Sequence, residues 1–293
     1  MNKLVTYILI IIGFISSRMS IQRRKGFGIV IGNILRKLSA KREKITFNNL
    51  KNAFPDKSDE WLNGIVKKSY HNLGIVLAEV TALKHLSEED MHDSISFENI
   101  ELLENVYSRG KGLILLSGHF GNWEYLAYSG GLFSKIPILV IVKPQQNVFA
   151  DKMLNRYRTQ AGNEVVSMFS AARKIIAHLK GGKAVALLAD QSAFGGKDVF
   201  VDFFGRPAAT FESPAALALK YDVPIVYGFA VRNHEGVYSV KLDELKFDDL
   251  KNDEAGIKEL TKRHVSVLEN AVREHPDHWA WQHRRWKHQP EKK

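Results

Sequence analysis

The chain has 293 residues, with 42 Lys+Arg against 32 Asp+Glu and a formal net charge of +10. Apolar residues at 45% and charged residues at 25% give a globular rather than a disordered balance, enough for one large α/β domain or two smaller ones. Cysteine is absent, which excludes a disulfide scaffold, a thiolate nucleophile and any Cys-ligated metal centre. The excess of cations asks for an anionic partner: nucleic acid, a phospholipid surface or an acidic protein.

Lys3 precedes an uncharged apolar run over residues 4–16. As a helix this run covers ~20 Å, short of a hydrocarbon core of about 30 Å. A cleaved signal peptide fits poorly. No small-x-small site follows, and Arg18, Arg23, Arg24 and Lys25 come directly after the run. A second, interrupted apolar stretch over 27–35 precedes Arg36, Lys37, Lys41 and Arg42. The pattern predicts that residues 1–43 form a membrane anchor with a basic interfacial segment, its cations meeting anionic headgroups. The alternative is a buried N-terminal helix of a soluble fold. Positive charge would leave the remaining chain, residues 44–293, on the cytoplasmic side.

Residues 44–108 read as helical: Trp61, Ile65, Tyr70, Leu73, Leu77 and Val80 recur at helical spacing after a break at Pro55-Asp56. From Gly112 onward short apolar runs at 113–116, 138–142, 184–189 and 225–231 alternate with amphipathic stretches. The latter lie near 122–130, 149–161, 170–180 and 212–221. Such alternation predicts an α/β fold, a sheet flanked by helices, with glycines at the joints. A charged helix over 253–274 precedes a basic, aromatic tail. With no linker-like tract in between, the 44–108 helices are expected to pack on the sheet.

The sharpest chemical signal is HFGNWE at 119–124, where a predicted strand ends at Ser117 and glycines flank His119. On a continuous helix His119 and Glu124 would diverge, but across a strand–loop–helix junction they can meet. A carboxylate that holds a histidine makes a general base. The bland reading of such a pair is a surface-loop His and an exposed Glu. Placement at the carboxyl end of an α/β strand favours the site reading. Ser117 lacks a nucleophile elbow, and no G-x-S-x-G occurs.

This block resembles the H-x4-D/E motif of the glycerolipid and lysophospholipid acyltransferase superfamily. More narrowly, the chain is similar to the bacterial lipid A biosynthesis late acyltransferases. Beside GLILLSGHFGNWE, the resemblance runs through FNNLKNAFPDKS, NRYRTQAG at 155–162, LLADQSAFGGKDVFVDFFGRPAAT at 187–210, ALALKYDVPIVYGFAVR at 216–232 and HPDHWAWQHRRWK at 275–287. It implies a glycerolipid acyltransferase-like fold, a mixed sheet flanked by helices with an N-terminal hydrophobic membrane-anchoring helix. It implies an inner-membrane enzyme that acylates a hydroxyl of a phosphorylated lipid A precursor, with acyl-carrier protein as donor and coenzyme A as the secondary candidate. His119 would act as general base held by Glu124, with no acyl-enzyme, no cofactor and no metal.

Arg156 or Arg158 would hold the acceptor phosphate, since guanidinium forks suit that geometry, although a solvated helix face is the ordinary reading of such a pair. Asp190 and Gln191 follow the strand at 184–189 and join Asn122 as expected substrate-binding residues; this branch departs there from the Glu-Gly-Thr-Arg block of many relatives. Phe203 and Phe204 are candidates for an acyl channel or for ordinary core.

Five of the eleven histidines lie between His264 and His288, without zinc-site spacing. Trp279, Trp281, Arg284, Arg285, Trp286 and Lys287 are expected to provide packing and a basic, membrane-facing edge. Because no nucleic-acid module accompanies them, nucleic acid falls away as a partner. Two rivals stay open: an acyltransferase for lysophospholipid, aminolipid or another glycolipid, and a non-catalytic basic protein of the membrane surface.

Overall fold

The computed structural model describes residues 2–193 and 198–290; residues 194–197, inside the 187–210 block, and both chain ends lie outside the described residues. Four long helices come first: α1 (Asn2–Ser17), α2 (Ile21–Lys37), α3 (Ala40–Ala53) and α4 (Asp59–Ala82). Ser58 caps α4 by accepting from the Trp61 N–H at 3.2 Å, which starts the helix just after Pro55. α2 lies against α4 through glycines. A Cβ on Gly74 would come within 2.2 Å of the Gly28 carbonyl oxygen and 2.3 Å of the Gly32 nitrogen. Only hydrogen fits in that seam.

α1 meets α4 along a narrow strip centred on Gly13 and touches Asn147 through Thr6, and most of its remaining surface faces out. Eight large apolar side chains from Leu4 to Ile15 are 40% exposed or more. α1 has 16 residues, and no described helix is long and apolar enough to cross a membrane. Where an anchor was expected over 1–43, the structure shows an apolar helix with an open face.

After α5 (Glu88–Ser94), β1 (Ile95–Phe97) and α6 (Glu101–Tyr107), the expected alternation begins. It comprises β2 (Leu113–Ser117), α7 (Trp123–Ser134), β3 (Ile138–Val142), α8 (Val148–Thr159), β4 (Glu164–Ser167), α9 (Ala172–Lys180) and β5 (Ala184–Leu188). Then follow the hairpin β6 (Asp198–Phe203) and β7 (Arg206–Phe211), α10 (Ser213–Tyr221), β8 (Ile225–Arg232), β9 (Tyr238–Leu245) and α11 (Glu254–Glu274).

A seven-stranded sheet runs in the order β1-β9-β8-β2-β5-β3-β4. β2, β3, β4, β5 and β8 are parallel, while β9 returns antiparallel to β8 and carries β1 along its far edge. The central strands LILLS, ILVIV and AVALL are apolar but for the terminal Ser117 because helices cover both their faces. Val76 and Val80 of α4 share one core cluster with Leu113, Ile138 and Ala184, so the 44–108 helices do pack on the sheet. The fold is α/β, a mixed sheet flanked by helices, and its parallel strands bring their carboxyl ends to one edge.

Candidate active site

Parallel register builds the centre of this edge. β2 and β5 are neighbours, with Ser117 opposite Leu188. Two residues beyond each stand His119 and Asp190. The ring Nδ1 of His119 lies 2.8 Å from Asp190 Oδ1, and the backbone N–H of His119 donates to Asp190 Oδ2 at 2.9 Å. Asp190 is buried, its side chain 2% exposed, whereas the imidazole keeps 25%. One end of the ring is gripped from inside, and the side chain keeps part of its surface open.

Burial alone would push the Asp190 carboxyl up, but the charge of His119 and three N–H donors outweigh it and hold it down to about 2. An ionised carboxylate only accepts, so Nδ1 carries the proton and Nε2 keeps its lone pair. Burial also disfavours the imidazolium; the Asp190 charge and hydrogen bond overcome this and raise His119 above the ordinary imidazole value. Trp123 packs edge-on against the ring at 5.1 Å. Gln191 Nε2 lies 3.4 Å from Nε2 and 3.5 Å from Nδ1, beside the ring rather than in line with either nitrogen.

Glu124, expected to hold His119, has another partner. It stands in the first turn of α7 and takes Arg158 of α8 in a two-pronged ion pair, at 2.5 and 2.8 Å. Asn155 adds a third acceptor to Arg158 at 2.8 Å. This corrects the expected His119–Glu124 pair: α7 turns Glu124 toward α8, and Nδ1 is already occupied from β5. Glu124 still acts on the ring as a nearby negative charge.

The same pairing separates the two arginines. Arg158 is committed to Glu124, whereas Arg156 is exposed and lines a cleft of about 440 Å³ with Asn155, Thr159 and Ser167 at the ends of β3 and β4. Asn122, expected to touch substrate, is instead fully buried. Its Oδ1 caps α7 at the Tyr125 N–H, and its Nδ2 donates to Glu79 of α4 at 2.8 Å. That carboxylate, pushed up by burial, also accepts from the Tyr238 hydroxyl at 2.8 Å. The HFGN turn is thus fastened to α4 and β9. Gly121 has φ +55°, and a Cβ there would lie 1.7 Å from the Ala230 carbonyl oxygen. Ser117 Oγ donates to the Gly228 carbonyl at 2.7 Å, consistent with a structural hydroxyl.

The tail supplies the expected packing, and one of its arginines joins that packing instead of the basic edge. Trp279, Trp281 and Arg285 are all within 1% of full burial, while Arg284 and Lys287 face out. The tail runs beside the site. Residues Phe120 and Trp279 form an antiparallel bridge, the Ala280 N–H donates to the His119 carbonyl, and the Gly121 N–H donates to the His278 carbonyl, both at 2.9 Å. Trp279 Nε1 donates to Asp190 Oδ2 at 2.8 Å. His283 Nε2 accepts from the Ser192 N–H at 3.1 Å, and burial holds this ring neutral, near 4. Phe203 and Phe204 are core rings, packed on Trp279, Trp281 and Phe54.

The family model for the bacterial lipid A biosynthesis acyltransferases matches residues 1–288. The chain belongs to this family. It is an acyltransferase of lipid A biosynthesis. It is 21% identical over 238 residues to the lipid A biosynthesis acyltransferase of Haemophilus influenzae, covering 80% of this chain and 73% of that protein. It is 22% identical to the lipid A biosynthesis palmitoleoyltransferase of Escherichia coli K12, covering 90% of this chain and 84% of the relative. With the lauroyltransferase of the same organism the identity is 21%, covering 90% and 85%.

Two contacts at the candidate site escaped the sequence reading. Asp190 was expected at the site, but not as the partner of His119; the signal was available, because both stand two residues beyond neighbouring strands. Trp279 lies eighty-nine residues from Asp190 in the chain, and no local pattern links them.

Proposed function

We propose that this acyltransferase moves a fatty acyl group from an acyl-carrier protein thioester to a hydroxyl of a lipid A precursor, with His119 as general base oriented by Asp190. The reading rests on one observation above all: Asp190 holds Nδ1–H, so the lone pair of Nε2 is presented at the exposed side of the ring. Nε2 takes the proton of the acceptor hydroxyl as its oxygen attacks the thioester carbonyl. The tetrahedral adduct collapses, the C–S bond breaks, and the imidazolium returns its proton to the departing thiolate. The new ester bond replaces the thioester, and no acyl-enzyme forms. A thiolate leaves readily, so base catalysis and positioning are sufficient.

Arg156, exposed in the cleft beside α8, takes a phosphate of the acceptor, a role that Arg158 cannot share while Glu124 holds it. The open apolar face of α1 rests in the cytoplasmic leaflet of the bacterial inner membrane. α1 docks on α8, where Asn147 Nδ2 donates to Thr6 Oγ1 at 3.3 Å, and Val148 and Phe149 of α8 extend the exposed apolar surface. Lys3, Arg18 and Arg23 at its margins meet anionic headgroups.

The test is transfer from acyl-carrier protein or coenzyme A thioester, offered separately with lipid A precursor and with lysophospholipid. Acylated precursor from the carrier-protein donor is the expected product; preferential acylation of lysophospholipid would reassign the acceptor.

A further inference from the structure

We propose that Trp279 is a positioning residue for the His119–Asp190 pair, and that the C-terminal tail thereby completes the active site from outside the sheet. The inference rests on the general-base reading of His119. Asp190 Oδ1 serves the ring, while Oδ2 receives two donors: the His119 backbone N–H at 2.9 Å and Trp279 Nε1 at 2.8 Å. The indole is 1% exposed and held on Phe203 and Trp281, at ring distances of 5.4 and 4.6 Å. Its N–H therefore has a fixed direction. The Ala280 N–H on the His119 carbonyl and the Gly121 N–H on the His278 carbonyl lock the tail to the same turn.

Without the indole donor, Oδ2 keeps a single partner and the carboxylate plane can tilt about it, turning the imidazole it holds and displacing Nε2. A buried carboxylate that loses a donor also draws harder on its remaining proton. Asp190 starts near 2, so it stays ionised after the loss. Other charged and titratable groups that bear on the pair are Glu124 of α7, Arg158 of α8, Tyr227 of β8, and His283 and Arg285 of the tail. None of them donates a hydrogen bond to Asp190 among the described residues.

The experiment is steady-state kinetics of Trp279→Phe, which keeps an aromatic ring and removes the N–H. A hydrogen bond to a charged group is worth about 1.5–3 kcal/mol, so kcat should fall roughly tenfold to a hundredfold with KM for both substrates unchanged. The acid limb of kcat/KM should move to higher pH, because the imidazolium is held more tightly; a purely structural loss would lower the active fraction and leave the limb in place. In the Asp190→Asn background the same substitution should have little further effect. Wild-type kcat and acid limb in Trp279→Phe, with Asp190→Asn impaired, would overturn this proposal and leave the general base standing. A fully active His119→Ala would instead remove the base itself.

Should Trp279→Phe not fold, the indole N–H signals of the Trp123→Phe protein labelled with 15N-tryptophan decide the matter. One of the four remaining signals should move upfield in Asp190→Asn, and four unmoved signals would contradict the contact.

Discussion

Asp190 grips His119 twice, taking the ring Nδ1–H with one oxygen at 2.8 Å and the backbone N–H with the other at 2.9 Å. The ring cannot rotate without breaking the first bond, and the loop cannot shift without breaking the second. Orientation and charge of the ring come from the turn after β5, the strand next to the one that His119 follows.

Asp190→Asn should therefore cost about 10²–10⁴-fold in kcat, the usual contribution of a positioned general base. Sign matters for pH. Asp190 raises His119, and the base works only when neutral, so activity in the wild type rises through a value above the ordinary imidazole one. The acid limb of kcat/KM should move to lower pH in the variant while the maximum falls. A pH–rate profile of both proteins checks this.

Glu124 and Arg158 are each 13% exposed, a nearly buried ion pair between α7 and α8. Arg158→Met alone leaves a buried carboxylate and should lower stability by about 3 kcal/mol, while the double change with Glu124→Gln recovers part of it. Urea denaturation of the three variants measures both numbers. In kinetics, Glu124→Gln should shift the acid limb less than Asp190→Asn does, since its oxygens touch Arg158 rather than the ring.

Arg156→Ala should raise KM for the phosphorylated acceptor roughly tenfold or more, with KM for the acyl donor unchanged, as expected for loss of a charge-assisted hydrogen bond. Melting temperature should stay within a few degrees because the side chain is exposed. Acceptor and donor titrations on the purified variant separate the two effects.

On α1, Ile8 and Ile11 are 48% and 57% exposed. Changing both to Asp should leave thermal unfolding unaltered and weaken binding to phosphatidylglycerol-containing vesicles at least about tenfold. Vesicle co-sedimentation is the readout. Gly121→Ala, by contrast, should fail on folding and activity together, because a Cβ there meets the Ala230 carbonyl and φ is positive.

The sheet was readable because its central strands are short apolar runs between glycines, and β3 spans 138–142 just as its sequence pattern predicts. β9, with alternating YSVKLDEL, and the β6–β7 hairpin went unread: both are antiparallel, half-exposed pairings whose partners decide them. His119 and Asp190 stood out by their places beyond strand ends, while Arg156 and Arg158 could not be told apart until Glu124 was seen to hold Arg158. The identity of the carboxylate on His119 did not stand out, because HFGNWE offers Glu124 nearby in sequence while register supplies Asp190 seventy-one residues away. Asn122 looked polar and available; its burial against Glu79 depends on α4, which no local spacing announces. The tail's aromatic and basic residues read as packing plus a basic edge; the burial of Arg285 depends on its bonds to Ala209 and Thr210 of β7, which no local spacing announces.

Mass spectrometry of the lipid product tests the central claim most directly. Lipid A precursor incubated with acyl-carrier thioester and wild-type protein should gain the mass of one fatty acyl group. His119→Ala, folded and still bound to vesicles, should give none above background. No added mass with the wild type, or an equal gain with His119→Ala, would contradict a His119–Asp190 base that transfers the acyl group directly.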